Sequence, residues 1–216
     1  QDIPFEEGDT IIRAAYRAGI EIPHYCWHPK LAIDGSCRLC QVEVDDIPKL
    51  QIACNTVVQD GMVVNTTSDR VRKAREGVVE LLLINHPLDC PICDQAGECK
   101  LQDYAFEYGI EQARTREPRR ALKKNVDLGP TIKFDQERCI LCRRCVRFCN
   151  EVPKTGELGV FRRGDESVLE TFPGAELDNP YSMNVADICP VGALTTRDFR
   201  FKIRLWFLDD VESVCN

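Results

Sequence analysis

The feature that most constrains this chain is its thirteen cysteines, most of which stand in closely spaced C-x-x-C units. Cysteines at such spacing serve as disulfide partners, metal ligands or nucleophiles. The odd count argues against a disulfide-stapled secreted protein, and so does a first segment that lacks the basic and apolar run of a secretory signal. Metal-bound thiolates in a reducing compartment are the favoured interpretation, because bound metal stabilises small units that have few large side chains.

The first group of cysteines has the spacing C-x10-C-x2-C-x13-C. Four thiolates suit either zinc or a [2Fe–2S] cluster, so a zinc-stapled interaction protein without redox activity stays open as an alternative. The loop contains Gly35 and Ser36, small residues that allow backbone N–H groups to approach cluster sulfides. A zinc knuckle usually pairs two C-x-x-C units, and only one occurs here, which favours iron. The predicted ligands are Cys26, Cys37, Cys40 and Cys54.

The second group reads H-x3-C-x2-C-x5-C and has one cysteine fewer than a four-ligand site needs. The histidine just upstream can supply a neutral imidazole nitrogen as the missing ligand. His24 and His28 lie beside the first group, which already has four cysteines, so we expect structural or exposed roles for them. An imidazole in place of a thiolate makes the site less negative, which should raise its reduction potential. The predicted ligands are His86, Cys90, Cys93 and Cys99.

The third group is C-x2-C-x2-C, the triplet that surrounds one [4Fe–4S] cluster in bacterial ferredoxins. In those proteins the next cysteine of the run is followed by proline. Here Cys149 has the ferredoxin spacing but precedes asparagine, and the Cys-Pro pair occurs at Cys189. We therefore expect Cys149 to be a buried thiol outside the site. The predicted ligands are Cys139, Cys142, Cys145 and Cys189.

Charge limits the classes of partner. The formal net charge of −7 argues against general binding to nucleic acid or to anionic membranes. A basic stretch at residues 114–124 is expected to be a solvated linker or a docking face. Four arginines interleave with the third cysteine group, and they either compensate the charge of a cluster or form a solvated helix face. These are Arg138, Arg143, Arg144 and Arg147.

The cysteine groups and the chain-breaking residues divide this α+β sequence into four segments. Each of the first three contains one cysteine group, and the last begins a further unit. Both ends look clipped, because the chain starts without Met and stops just after Cys215, so we expect a longer protein. The predicted segments are residues 1–77, 78–117, 118–198 and 199–216.

The hydrophobic pattern predicts short helices and strands within these segments. Asp9 or Thr10 should cap the first helix, and Asp69 should cap the second. The second helix should bury one apolar face, which consists of Val71, Ala74, Val78, Leu81 and Leu82. We expect helices at residues 11–18, 69–85 and 101–108, and strands at residues 3–5, 41–45, 51–53 and 62–64.

With these residues in hand, the chain resembles the N-terminal part of the large iron–sulfur subunit of respiratory complex I, NADH:quinone oxidoreductase. The small diaphorase subunit of NAD-reducing hydrogenases shares the motifs and often has extra cysteines such as Cys149, so it stays open as an alternative. The tail at residues 204–208 resembles the start of a molybdopterin-oxidoreductase-like domain, which favours complex I. The matching stretches are GSCRLC at 35–40, HPLDCPICDQAGEC at 86–99, CILC at 139–142 and CPVGAL at 189–194.

The resemblance implies a β-grasp [2Fe–2S] domain, a small [4Fe–4S] domain with one His and three Cys ligands, and a ferredoxin-like [4Fe–4S] domain. It implies an enzyme subunit that relays electrons from a flavin-containing NADH-binding subunit toward quinone, beside other iron–sulfur subunits. No G-x-G-x-x-G or phosphate-binding loop occurs, so NADH must bind to a partner. The complex would hold the chain in a peripheral arm on the cytoplasmic side of a bacterial inner membrane, or on the matrix side in an organelle, in only indirect contact with the membrane.

Overall fold

The computed structural model describes residues 1–209 and 211–212, and it consists of short helices and small sheets. The helices are α1 (Ile11–Arg17), α2 (Asp69–Leu83), α3 (Lys100–Tyr108), α4 (Arg144–Glu151) and α5 (Asn184–Asp187). The strands are β1 (Gln41–Val44), β2 (Ile47–Ile52), β3 (Val64–Asn65), β4 (Val126–Asp127), β5 (Ile132–Phe134), β6 (Leu158–Phe161), β7 (Val168–Thr171) and β8 (Leu194–Thr196). Short 3-10 helices cover Cys90–Ile92, Gln136–Arg138, Gly164–Glu166 and Leu205–Phe207. The mixed content confirms the predicted α+β class at this level.

The first sheet has the strand order β2-β1-β3, and all of its pairs are antiparallel. Strand β1 alternates half-buried and buried residues, as its sequence pattern predicts. The sheet differs from the prediction in three places: β2 begins at Ile47 because a two-residue turn pairs it with β1, β3 starts only at Val64, and residues 3–5 form no strand in the described structure. Helix α1 packs on this sheet over a core of Ile11, Ile12, Ala15, Ile22, Trp27, Val42, Val44 and Ala53.

Helix α1 begins after Thr10, one of the two predicted capping residues, but no side chain caps it with a hydrogen bond. The Asp9 carboxylate instead accepts the Glu6 N–H at 2.7 Å and forms an ion pair with Arg17. Gly19 follows the helix with a φ of 72°, the left-handed conformation that glycine adopts without strain.

Helix α2 is capped by Ser68, and the prediction of Asp69 as the cap is wrong. The Ser68 hydroxyl oxygen accepts the Val71 N–H at 3.2 Å, and Asp69 is the first helical residue, where its charge favours the helix dipole. The helix ends two residues earlier than predicted. Its buried face is also rotated from the predicted one, because Leu81 is 71% exposed. The fully buried residues of α2 are Val71, Arg75 and Val79.

Arg75 holds α2 against its two neighbours, α3 and the first sheet. Its Nη1 donates to the hydroxyl oxygen of Tyr108 at 3.1 Å, and its Nη2 donates to the carbonyl of Gln41 at 3.1 Å. The guanidinium carbon also lies 5.5 Å from the centroid of the Tyr108 ring, within range of a cation–π contact. A buried cation is tolerated on this helix face because these contacts satisfy its charge and two of its donors.

The third part of the chain brings two distant cysteine segments together. Its main sheet has the order β4-β5-β8, and Phe134 of β5 pairs with Leu194 of β8. The N–H of Asp135 donates to the carbonyl of Ala193 at 2.8 Å, which extends this pairing toward residues 189–192. The pairing therefore places Cys189 beside the triplet that begins at Cys139. A β6-β7 hairpin and helices α4 and α5 complete this part.

One larger hydrophobic core joins the second and third parts of the chain and reaches into the first. It includes Val79 and Leu101 from the helices, Ile132 and Phe134 from β5, and Tyr25 from the first part. The first sheet keeps its own separate core. No helix among the described residues is both long and apolar enough to cross a bilayer.

The basic stretch at residues 114–124 is tied to the rest of the molecule at both ends. Arg114 forms an ion pair with Glu80 of α2. Lys124 lies 2.6 Å from the carboxylate of Asp89 and 2.8 Å from that of Glu137. The segment is therefore not a purely solvated linker, because both of its ends contact other parts of the molecule. Arg114 itself is nevertheless exposed.

The tail after residue 199 returns to the loop of the second cysteine group. The N–H of Phe201 donates to the Asp94 carboxylate at 3.1 Å, and Arg204 Nη2 donates to the carbonyl of Cys90 at 3.1 Å. A Cβ on Gly97 would lie 3.1 Å from the side chain of Leu205. The tail thus packs against the second part of the chain. Cys215 lies outside the described residues.

Candidate metal centres

The first centre is formed by the two ends of the β1-β2 hairpin and by the loop before it. Cys40 directly precedes β1 and Cys54 follows β2, and the Ala53 N–H donates to the Cys40 carbonyl at 2.9 Å. Cys26 and Cys37 come from the preceding loop, and their sulfur atoms lie 3.4 Å apart. Hydrogen bonds from Cys37 and Cys54 lower the pKa of the Cys26 thiol, and the same hydrogen bonds raise the pKa of the two donor thiols.

The second centre is a small cavity lined by His86, Cys90, Cys93 and Cys99. His86 lies just beyond α2, Cys90 begins a 3-10 helix, and Cys99 directly precedes α3. Burial and the nearby positive charge of Arg138 lower the pKa of His86 to about 4. The imidazole is therefore neutral at physiological pH, which is the form that can bind a metal.

Gly192 also lines the second centre, although it belongs to the segment after Cys189. A Cβ at this position would lie 2.2 Å from the Cys93 sulfur and 3.1 Å from the Gln95 Cβ. Only a residue without a side chain allows the backbone to approach the thiol so closely. Residue spacing does not predict a role for Gly192 at this centre, and its place in the CPVGAL motif is the one signal that the sequence offers.

The third centre is an apolar cavity lined by Cys139, Cys142, Cys145 and Cys189. The loop between the first three cysteines turns tightly, because Leu141 and Arg143 have φ values of 53° and 56°. This turn directs the Leu141 N–H to the Cys139 sulfur at 3.4 Å. Burial raises the pKa of Cys142 to about 12, although the positive charges of Arg144 and Arg147 act in the opposite direction.

Cys149 is fully buried and lies outside the lining of the third cavity, within the part of the chain that the structure describes. Burial and the neighbouring Glu157 carboxylate raise its pKa to about 12. Glu157 in turn accepts hydrogen bonds from the Thr155 hydroxyl at 2.6 Å and the Asn179 amide at 3.0 Å. Cys149 therefore lies beside a polar network and outside the lining of the third cavity.

His24 and His28 have protein partners near the first centre. The ring of His24 contacts the carbonyl of Ile22 through Nδ1 at 2.7 Å and lies edge-on to Trp27, with ring centroids 5.1 Å apart. His28 Nδ1 accepts the Lys30 N–H at 3.3 Å. These contacts are the structural roles that the sequence predicts for both residues.

The four interleaved arginines divide into two kinds. Arg143 has a half-exposed side chain and lies 3.3 Å from the Asp34 carboxylate. Arg138 is buried and lines the second centre, and its Nη1 has no hydrogen-bond partner among the described residues. Arg144 lines the third centre, and its Nη2 donates to the carbonyl of Trp27 at 2.7 Å. The proposed solvated face is therefore limited to Arg143, which also lines the third cavity, and the other arginines lie between or beside the candidate centres.

The residues present fit iron–sulfur clusters. All cysteines in the described part of the chain are free thiols. Within that part, no group of three or more His, Cys, Asp or Glu side chains is arranged around a single metal ion. The second and third groups instead surround cavities, and a cluster occupies a volume between its ligands. The donor set of cysteines with one histidine is typical of iron–sulfur ligation.

Three family models match the chain, and each match contains one cysteine group. The 2Fe-2S iron-sulfur cluster binding domain matches residues 1–69. The NADH-ubiquinone oxidoreductase-G iron-sulfur binding region matches residues 75–114. The ferredoxin-like domain of NADH-quinone oxidoreductase subunit 3 matches residues 129–195. The expected combination of 2Fe–2S and 4Fe–4S ferredoxin-like domains is confirmed at this level.

Curated relatives and a solved structure are similar to the chain over nearly its whole length. The chain is 47% identical over 98% of its length to the mitochondrial NADH-ubiquinone oxidoreductase 78 kDa subunit of Candida albicans, and 47% identical over 99% to an NADH-quinone oxidoreductase subunit of Rickettsia bellii. It spans 30% and 31% of those two relatives. A chain in the crystal structure of an NAD+-reducing [NiFe]-hydrogenase in the H2-reduced state matches with a TM-score of 0.84 and 32% identity, over 95% of this chain and 88% of that one.

The chain belongs to the family of iron–sulfur subunits of NADH:quinone oxidoreductase. The resemblance inferred from its motifs is thereby confirmed, and so is the relation to NAD-reducing hydrogenases. The chain corresponds to about 30% of the length of its curated relatives, and it contains all three matched iron–sulfur regions.

Proposed function

We propose that this chain is an electron relay that holds one [2Fe–2S] cluster and two [4Fe–4S] clusters. The observation that supports the proposal most directly is that Cys189 lines one cavity with the distant C-x2-C-x2-C triplet, while Cys149 does not. A second cavity collects His86 with the three cysteines that follow it. Twelve side chains are therefore proposed as ligands: Cys26, Cys37, Cys40, Cys54, His86, Cys90, Cys93, Cys99, Cys139, Cys142, Cys145 and Cys189.

The proposed relay is organised in segments. Residues 1–77 would form a β-grasp domain for the binuclear cluster. Residues 78–117 would hold the cluster with one His and three Cys ligands, and residues 118–198 would form the ferredoxin-like domain. The ends of the three matched family regions support these limits, because they fall at residues 69, 114 and 195.

The residues of the chain would bind, shield and orient the clusters. When bound, the clusters supply reversible one-electron storage. The neutral His86 and the thiols would supply the ligand atoms, and the apolar lining of the third cavity would exclude water. Arginines beside the second and third centres would offset negative charge, which favours the reduced state.

In the assembled enzyme, we place the chain between a flavin-containing NADH-binding subunit and the quinone, beside other iron–sulfur subunits. The names of the curated relatives support membership of such a complex, since they are subunits of NADH-quinone or NADH-ubiquinone oxidoreductase. The chain would then lie in a peripheral arm, on the cytoplasmic side of a bacterial inner membrane or the matrix side in an organelle.

The second candidate function is the diaphorase relay of an NAD-reducing hydrogenase. It is supported by the structural match, because the hydrogenase chain has a TM-score of 0.84 and 32% identity to this chain. The higher sequence identity of 47% against 32% favours the complex I relay.

The decisive experiment is iron and acid-labile sulfide analysis of anaerobically purified protein, with low-temperature EPR after dithionite reduction. We expect about ten irons per chain, with one binuclear and two tetranuclear signals. Zinc in place of iron, with no EPR signal after reduction, would refute the relay and leave a zinc-stapled protein.

The choice between the two complexes rests on partners. The native complex, purified by affinity from the membrane fraction, should have NADH:quinone reductase activity. Hydrogen-dependent reduction of NAD+ in the purified complex would instead identify the hydrogenase relay.

A further inference from the structure

Arg147 of α4 contacts backbone groups from two candidate centres at once. Its Nη2 donates to the carbonyl of Cys26, a predicted ligand of the first centre. The same nitrogen donates to the carbonyl of Cys142, a predicted ligand of the third centre, at 3.4 Å. Its Nη1 donates to the carbonyl of Ala32 in the loop that follows Cys26. A single guanidinium nitrogen therefore lies between ligand residues of both centres.

Neighbouring contacts hold the same two elements together. Arg144 donates to the Trp27 carbonyl at 2.7 Å, one residue after Cys26. At the other end of α4, the Glu151 carboxylate accepts the Ala32 N–H at 2.8 Å. These contacts join α4 to the loop that follows Cys26. Neither of them links a predicted ligand residue of the first centre to one of the third centre. Among the contacts described between α4 and this loop, only those of Arg147 link predicted ligand residues of both centres.

We propose that Arg147 is a positioning residue that fixes the separation of the first and third centres and provides the hydrogen-bonded contact between their ligand residues. The inference rests on the proposed function, because both centres must hold clusters. Arginine suits this role because its planar group offers several donors in fixed directions, so that one nitrogen can serve two carbonyls. Its permanent positive charge also lies between two sites that become more negative on reduction.

The test compares Arg147→Met, Arg147→Lys and Glu151→Met in the full-length subunit, after iron analysis shows that each variant holds its clusters. The readout is the magnetic interaction between the reduced first and third clusters, seen in EPR as faster spin relaxation of the binuclear signal. We expect Arg147→Met to lose most of this relaxation enhancement and to slow electron transfer between the two clusters. Arg147→Lys should give an intermediate value, because lysine keeps the charge and can reach one carbonyl.

Glu151→Met is the matched control, since it removes a contact between the same helix and the same loop. We expect wild-type relaxation in this variant. Equal changes in spin relaxation in Glu151→Met and Arg147→Met would overturn the proposal. Any contact that holds α4 against the loop would then have the same effect. Wild-type relaxation in Arg147→Met with full iron content would also overturn it.

Two further outcomes separate a failure of the Arg147 proposal from a failure of the proposed function. Arg147→Met can lose a cluster, in which case Arg147→Lys carries the test. Loss of iron from Arg147→Lys as well would overturn the proposal, because the residue would then be required for folding. An unsubstituted protein without cluster signals would refute the proposed function itself.

Discussion

Gly192 is constrained by a thiol that lies far away in the sequence. Its backbone approaches Cys93 so closely that an added Cβ would lie 2.2 Å from the sulfur. The loop that supplies Cys189 to the third centre therefore also covers the second centre. The contact gives this glycine a role at the second candidate site, and the sequence alone shows only a small residue after Cys-Pro-Val.

We expect Gly192→Ala to displace Cys93 and to weaken iron binding at the second centre. Overpacking of this kind usually costs about 1–3 kcal/mol in the free energy of unfolding. Iron analysis, the EPR signal of the cluster with the histidine ligand and urea denaturation would measure the effect.

The matched control for this substitution is Gly77→Ala in the middle of α2. An added Cβ at Gly77 meets no atom within 4 Å, and alanine favours a helix by about 0.5–1 kcal/mol. Gly77→Ala should therefore raise stability slightly and leave the iron content unchanged. Wild-type iron content and stability in Gly192→Ala would contradict the close approach.

At the same scale, Arg138 shows what residue spacing cannot reveal. Its sequence neighbour Cys139 lines the third centre, whereas its own side chain lines the second and lies 3.0 Å from the Asp89 carboxylate. The pattern of arginines between cysteines left a solvated face and charge compensation equally open. The direction of each side chain depends on tertiary contacts, so Arg138 is buried while Arg143 is half-exposed.

At the scale of elements, local sequence predicts helices better than strand limits. Helices α1, α2 and α3 lie where hydrophobic spacing predicts them, since each is specified within one short segment. The predicted strand at residues 3–5 is wrong, because a strand also requires a pairing partner from elsewhere in the chain. Arg75 lies buried on a helix face that was expected to be apolar, because its partners, Tyr108 and Gln41, come from other elements.

The first turn of α2 gives a test at this scale. Ser68→Ala removes the oxygen that accepts the Val71 N–H, so we expect a loss of about 0.5–2 kcal/mol in the free energy of unfolding. Urea denaturation monitored by far-UV circular dichroism would measure it. Ser68→Thr keeps the acceptor and should retain most of the stability. An equal loss in both variants would show that the hydrogen bond is not the cause.

At the scale of the whole molecule, the two cores divide the chain unequally. The first sheet has its own core, whereas the residues around the second and third centres share one. Cys99, Cys142 and Cys145 are themselves members of the shared core. Metal ligation and apolar packing therefore support each other in this part of the chain.

We expect Cys99→Ala to abolish the second cluster and to destabilise residues 78–117 together with the neighbouring strand β5. The first sheet should stay folded, because its core is separate. Hydrogen exchange with mass spectrometry would show lost amide protection in α2, α3 and β5, with protection retained in β1 and β2.

Cys149→Ala is the matched control, since it removes another buried cysteine of the same shared core. This thiol lies outside the lining of the third cavity, so all iron should be retained. Full iron occupancy in Cys99→Ala, or iron loss in Cys149→Ala, would contradict the assignment of ligands.

The contact between Gly192 and Cys93 also bears on how the protein is made. A ribosome completes the short segment from His86 to Cys99 well before it reaches Cys189, so the second centre can receive a cluster while the third still lacks a ligand. Docking of residues 189–194 then covers Cys93. We therefore expect the clusters to be inserted in a fixed order during biogenesis. The site that contains His86 should receive its cluster before residues 189–194 dock.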